Sequence, residues 1–320
     1  MTVQRILMSS FVENSPFVEE FFGRKNISVL LSGFFEKFGA KCPTGSFKDY
    51  ITGLTLYFRR KKELVVVSAG NVARAFFYKA SVLKRPLTIV LPEYALEGLK
   101  ISVPPSKTVT IYAIKGEYND AIDFSRELVA KNPEKYEHEG GLSNEWRIKG
   151  LYRLFRRLPQ FDIYFQAVSG GVGPMSIYET AKTTKKSLPK LFLSQNLPYA
   201  PVLSAVQGEK VPEPEIAEKI LAKVLSNAKT NIPLLSKLIR ESNGKIYGIT
   251  NEELLSAKKA FEAFTEDEID YSCGVTVASV LKAIKNGDVK ENEKIVVHIT
   301  GGGYSKVKKY PPYEEQVIHI

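Results

Sequence analysis

Short runs of Val, Ile and Leu recur along the chain, each followed by a polar or glycine turn and then by a longer mixed segment. The first is Val29–Leu31, which leads into Gly33-Phe34-Phe35-Glu36-Lys37. Leu64–Val67, Leu87–Leu91 and Val109–Ile114 follow, then Ile163–Val168, Leu191–Leu193 and Glu293–Ile299. Apolar runs this short read as buried strands. Between them the sequence predicts helices over Phe47–Arg60, Val72–Leu83, Asn119–Lys131 and Trp146–Leu158, the last basic on one side. Shorter helices are expected from Pro92-Glu93 and after Ser169–Pro174. Thr250-Asn251-Glu252-Glu253 is a capping box that opens a helix to Phe264, and Gly274–Lys285 is a helix of small residues. This alternation argues for parallel β-α units. Residues 1–28 are mixed, and Phe11, Phe17, Phe21 and Phe22 suggest a short packed arm. Residues 132–142 read as a polar, glycine-rich loop, and 209–244 as helical and loop-rich. There is no internal repeat and no low-complexity segment.

The chain has 320 residues, 44% of them hydrophobic and 25% charged, enough for a core divided between two domains. No signal peptide is legible near Met1 and no apolar run is long enough to cross a bilayer, so a cytoplasmic protein with no membrane partner is expected. Cys42 and Cys273 have no CxxC spacing and no nearby His. They read as reduced thiols, and no metal site is expected. The net charge of +10 would suit nucleic acid, but the basic residues are dispersed near predicted helix ends and no nucleic-acid motif accompanies them. They read as solvated faces that secondarily attract anionic substrates, with no nucleic-acid partner.

The candidate chemistry starts at Cys42-Pro43-Thr44-Gly45-Ser46-Phe47-Lys48-Asp49. Ser46 suits an N-cap for the helix Phe47–Arg60, with Asp49 at N3. Lys48 then falls in the first turn, where the helix dipole and apolar neighbours such as Phe47 and Leu54 lower an amine's proton affinity. A neutral amine is what a Schiff base needs. The same octapeptide also suits a capped surface helix with a solvated lysine.

Three glycine turns stand after predicted strands. Ser169-Gly170-Gly171-Val172-Gly173-Pro174 exposes backbone N–H groups at a helix start, an arrangement that suits a small phosphate and matches neither a Walker loop nor the dinucleotide fingerprint. Ser68-Ala69-Gly70-Asn71 offers polar side chains at a helix N-terminus and suits a carboxylate, although plain capping would use the same residues. Thr300-Gly301-Gly302-Gly303 brings a hydroxyl that can donate or accept. The amine, the two anion turns and the hydroxyl all fall at C-terminal strand ends, where open α/β sheets place ligands.

A set of motifs, taken together, carries a family resemblance. They are Pro43–Asp49, Ser68–Phe76, Tyr118-Asn119-Asp120-Ala121-Ile122, Glu139-Gly140-Gly141, Tyr164–Val168, Leu188–Leu191, Ser194–Pro198, Ala278–Ala283 and Gly301–Gly303. On these the chain resembles the pyridoxal-phosphate enzymes of fold type II, in the threonine synthase branch, and within that branch the archaeal cysteate synthases. The resemblance runs from about residue 27 to near the end. It implies a tryptophan-synthase-β-like fold of two three-layer α/β domains with parallel sheets and the cofactor between them. Residues 1–60 and 150–320 would form the larger, cofactor-anchoring domain, and residues 61–149 a smaller, mobile domain that holds the substrate carboxylate.

The resemblance also implies roles. Lys48 would carry the pyridoxal 5′-phosphate covalently and act as acid and base at the substrate Cα. Asn71 would bond the cofactor's ring oxygen, and Gly170, Gly171, Val172 and Gly173 would cradle its phosphate. Thr300 would bond the pyridine nitrogen, and a neutral hydroxyl there suits elimination and replacement over transamination. Ser68 and Ala69, with Asn71, would hold the substrate carboxylate. Lys41, Arg74, Asn144 and Arg147 are candidates for the substrate phosphate. Val72, the Gly-Gly-Val-Gly loop and Tyr50 depart from the family pattern. The implied reaction takes O-phospho-L-serine and sulfite to L-cysteate and phosphate, by a homodimer whose partners are a phospho-amino acid and an anionic nucleophile. Threonine synthase, using O-phosphohomoserine and water, is the neighbouring reading, because one methylene is worth only about 1–3 kcal/mol of discrimination in an apolar pocket. O-phosphoserine sulfhydrylase and a non-catalytic relative that binds a phosphorylated ligand complete the alternatives.

Overall fold

The structure, a computed structural model, describes residues 1–226, 230–307 and 309–320. The chain divides into two compact units: residues 1–42 with 151–303, and residues 43–150 with 304–320. The first unit is built on a seven-stranded sheet, in the order Thr2–Ile6, Ser9–Glu13, Ile27–Leu31, Ile295–Ile299, Ile163–Ala167, Lys190–Asn196, Lys245–Ile249. From Ile27–Leu31 onward neighbouring strands are parallel. Ile163–Ala167 and Ile295–Ile299 are buried along their whole length, as parallel strands covered on both faces must be. The helix Tyr271–Lys285 packs on this sheet. Its Gly, Ala, Ser and Val residues let its backbone come close. It starts earlier than Gly274, because Asp270 caps it by accepting the Ser272 N–H at 3.0 Å.

The N-terminal residues are a correction. In place of a packed arm they form an antiparallel hairpin, Thr2–Ile6 with Ser9–Glu13, that extends the sheet. Phe11 is buried in its second strand, and the helix Pro16–Phe22 stacks Phe17 on Phe264 with ring centroids 5.1 Å apart. The segment 209–244 contains the helix Ile232–Glu241 and two 3₁₀ turns, and its residues 227–229 lie outside the described residues.

The second unit holds a five-stranded sheet, Val317–His319, Val109–Ile114, Leu87–Pro92, Glu63–Val67, Tyr136–His138, with every neighbour parallel. Tyr136–His138 lies inside the stretch expected to be a loop. An edge strand needs no apolar run, so the sequence pattern is silent there. The division also differs from the expected boundaries. Residues 43–60 fall in this unit because the helix Asp49–Phe58 packs on the helix Asn71–Leu83. Residues 304–320 fall here because Val317–His319 pairs with Val109–Ile114. Among the described residues no helix is long and apolar enough to cross a membrane.

Candidate active site

Lys48 does not follow a strand of either large sheet. It is the residue before the helix Asp49–Phe58, with φ −64° and ψ −18°. Ser46 is not the N-cap: the helix begins later, and the buried Ser46 hydroxyl has no hydrogen-bond partner among the described residues. Asp49 is the first helical residue and ties the turn together. Its carboxylate accepts the Thr44 N–H at 2.9 Å and the Thr44 hydroxyl at 2.8 Å. The half-buried Lys48 places its amine over the Phe47 ring, 4.2 Å from the centroid. Burial, and then the Arg147 charge, lower its proton affinity, against the opposing pull of Glu139, to a pKa of about 7. The amine is therefore substantially neutral at neutral pH.

Burial pushes the neighbouring Asp49 carboxyl up to about 7, against the two Thr44 hydrogen bonds and the Arg74 and Lys79 charges. A raised carboxyl pKa means the folded protein holds a proton that the unfolded chain releases above its ordinary value of 3.8. Asp49 thus contributes stability that is complete below pH 3.8 and lost as the pH rises through about 7. We expect Asp49→Asn to flatten this part of the stability profile. Chemical denaturation of the cofactor-free protein at a series of pH values would check it, and an unchanged slope between pH 4 and 7 would overturn it.

Arg147 and Asn144 converge on Glu139, a residue to which sequence reasoning assigned no role. The Arg147 Nε donates to Glu139 Oε1 at 2.6 Å and its Nη2 to Oε2. The Asn144 Nδ2 donates to Glu139 Oε1 at 2.6 Å and to the Thr55 hydroxyl at 3.2 Å, while its Oδ1 accepts the Trp146 N–H at 3.1 Å. Both amide hydrogens of Asn144 are spent, so it has no donor left for a substrate phosphate. Asn144 here holds Glu139. Arg147 keeps N–H groups beyond the two that Glu139 uses. All three residues are buried.

Ser68, Ala69 and Gly70 lead into the uncapped N-terminus of the helix Asn71–Leu83. The Ser68 hydroxyl accepts the Gly70 N–H at 3.3 Å. Together with Arg74, Leu91 and Leu99 they line a small cleft. Asn71 donates from Nδ2 to the Tyr304 hydroxyl at 3.3 Å and accepts from Arg74 at Oδ1.

The first unit carries the remaining candidates. Gly171, at φ +90°, is the N-cap of the helix Val172–Thr184, with no side-chain cap and no acidic residue in the first turn. Gly170, Gly171, Val172 and Gly173 thus leave backbone N–H groups open at a positive helix end. A Cβ on Gly173 would lie 2.1 Å from Gln166 Oε1, so any side chain there must displace the Gln166 amide. Gln166 ends a buried polar chain unseen in the sequence. Tyr164 donates to Gln166 Oε1 at 2.7 Å and meets His298 Nδ1 at 2.5 Å, and His298 Nε2 meets the Ser32 hydroxyl at 2.8 Å. Burial lowers the His298 pKa to about 3, so the chain is neutral. Thr300 follows the strand Ile295–Ile299, its hydroxyl 3.5 Å from the Cys273 sulfur, and that thiol also bonds the Gly301 carbonyl at 3.3 Å. Burial pushes the thiol up to about 12, so it stays protonated beside Thr300. Lys41 is exposed in the short pairing of Phe34–Phe35 with Ala40–Lys41, and none of these contacts involves it.

Each unit by itself offers groups that suit pyridoxal phosphate: residues 43–150 an amine held near neutral, and residues 151–303 an uncapped helix start that suits a phosphate and the Thr300 hydroxyl at a strand end. The chain belongs to the pyridoxal-phosphate dependent enzyme family, whose sequence profile matches residues 34–301. It is thus an enzyme that uses pyridoxal 5′-phosphate. It is 32% identical to the cysteate synthase of Methanoculleus marisnigri, over 91% of this chain and 74% of that protein. The cysteate synthase of Methanosarcina barkeri is 31% identical, over 92% of this chain and 78% of that protein. Both bear out the resemblance read from the motifs. Two solved structures share the fold: serine racemase from Dictyostelium discoideum, with a TM-score of 0.68, 21% identity and 92% and 91% of the two chains covered; and threonine deaminase isoform 2 from Solanum lycopersicum, with 0.69, 19%, 92% and 80%. The fold is that of the type II pyridoxal-phosphate enzymes.

Proposed function

We propose that the protein catalyses elimination and replacement on an O-phosphorylated amino acid, taking O-phospho-L-serine and sulfite to L-cysteate and phosphate. The observation that carries the reading is Lys48, an amine poised near neutrality with the Arg147 cation acting on it. The similarity to cysteate synthases supports the choice of phosphoserine and sulfite.

When bound, the cofactor supplies the electron sink for the substrate Cα. Lys48 would anchor it and would take the Cα proton. The N–H groups of Gly170–Gly173 would hold the cofactor phosphate, the Thr300 hydroxyl would bond the pyridine nitrogen, and Asn71 would donate to the ring oxygen. Ser68 and the Ala69 backbone orient the substrate carboxylate. Arg147 draws the substrate phosphate and stabilises it as it leaves with the Cβ–O bonding pair. Sulfite then forms the new C–S bond at Cβ, and Lys48 returns the proton to Cα.

The test is to load the purified protein with pyridoxal phosphate, add O-phospho-L-serine, then sulfite, and follow the visible spectrum, phosphate release and product mass. We expect a spectral change with phosphoserine and equal yields of cysteate and phosphate. Threonine formed from O-phosphohomoserine alone, or cysteine formed only with sulfide, would replace this reading. No response to any of these substrates would leave a non-catalytic relative.

A further inference from the structure

Arg74 lies three residues after Asn71 on the helix Asn71–Leu83, so the two side chains share a face. A guanidinium carries only donors, so the Asn71 atom that meets it must be the carbonyl Oδ1. With the amide turned over, two sets of N–H donors would oppose each other. The other end is matched as well, because the Asn71 NH₂ donates to the Tyr304 hydroxyl at 3.3 Å. The Arg74 guanidinium in turn lies over the Tyr304 ring, 4.7 Å from its centroid. The three side chains are linked so that each touches the other two.

We propose that Arg74 and Tyr304 are positioning residues that set which end of the Asn71 amide is offered to the cofactor ring. This rests on the reading above that Asn71 meets the ring oxygen. An oxygen bearing negative charge needs the NH₂ end of the amide, and its carbonyl end would repel it. With Oδ1 committed to the one neighbour that can only donate, the NH₂ group is turned the other way before the cofactor arrives. The orientation is then set on folding and costs nothing at binding, which is how preorganised donors gain their strength.

The experiment uses the full chain loaded with pyridoxal phosphate. It records the visible absorption band, the pH titration of that band and the cofactor dissociation constant, apart from turnover. We expect Arg74→Met to weaken cofactor binding about tenfold and to shift the band and its titration as Asn71→Ala does. Arg74→Lys, which can still donate to Oδ1, should restore most of both. Tyr304→Phe keeps the ring under Arg74 and loses only the hydroxyl. It should weaken binding about threefold in the same direction, and it serves as the test if Arg74→Met does not fold. Combining Arg74→Met with Asn71→Ala should add little to Asn71→Ala alone, because both act through one amide. A changed spectrum in Asn71→Ala with unchanged spectra and affinities in Arg74→Met and Tyr304→Phe would overturn the inference. Full additivity in the double variant would overturn it too. An unchanged spectrum in Asn71→Ala itself would instead overturn the assignment of Asn71 on which the inference stands.

Discussion

Replacing Lys48 by alanine is expected to lower turnover by at least about 10³-fold, because one side chain is asked both to hold the cofactor and to move the Cα proton, and a positioned acid or base alone is worth about 10²–10⁴. Lys48→Arg should be as inactive: it keeps the charge and most of the length, but a guanidinium is not neutral at any accessible pH. The same property is testable without turnover. An amine with a pKa of about 7 is mostly protonated at pH 6 and mostly neutral at pH 8. Reaction of the cofactor-free protein with an amine-directed acylating reagent should therefore label Lys48 far faster at pH 8 than ordinary lysines. Borohydride reduction of the loaded protein followed by peptide mass spectrometry should place the cofactor on Lys48. Retained turnover in Lys48→Ala, or an adduct on another lysine, would remove the basis of the mechanism.

The second large effect is expected at Glu139. Its carboxylate is the shared acceptor for Arg147 and Asn144, and the side chains of the ion pair are 4% and 11% exposed for Glu139 and Arg147. Glu139→Ala leaves a buried guanidinium unpaired, and breaking a buried pair in this way costs about 3–5 kcal/mol. Removing both charges, in Glu139→Leu with Arg147→Met, should cost less than either single change, since no uncompensated charge remains. Urea denaturation of the two single variants and the double variant measures this directly. A loss under about 1 kcal/mol in Glu139→Ala would show that the pair is solvated. Glu139 also raises the proton affinity of Lys48 while Arg147 lowers it. Its removal should move the Lys48 titration to lower pH, and with it the acidic limb of activity.

Much of this was legible in the chain because apolar runs and glycine turns act locally. Val29–Leu31, Leu87–Leu91, Val109–Ile114 and Ile163–Val168 are strands because parallel strands buried on both faces require such runs, and the turns Ser68–Asn71 and Ser169–Pro174 interrupt them where helices begin. The capping box at Thr250 is equally local: its hydroxyl accepts the Glu253 N–H at 3.1 Å. Tyr136–His138 and Thr2–Ile6 escaped notice because edge strands are half-solvated and polar, and Ser9–Glu13 because its mixed run is buried only by pairing with Ile27–Leu31 as well as Thr2–Ile6.

The sequence by itself determined the buried strands, most of the helices between them and the family; it put the reactive lysine in the first helical turn, where the structure has it just before the helix. Three things belong to the tertiary structure alone. Asp49 turned from an N3 residue into the buried anchor of Thr44, because the helix starts at Asp49 itself. Asn144 spends its two amide hydrogens on Glu139 and Thr55, a commitment its place in the chain does not show. Arg74 and Tyr304, far apart in the chain, meet around Asn71. In each case the deciding quantity is how many donors and acceptors remain once a side chain is buried. That count depends on which distant residues fold against it, and no spacing along the chain contains it.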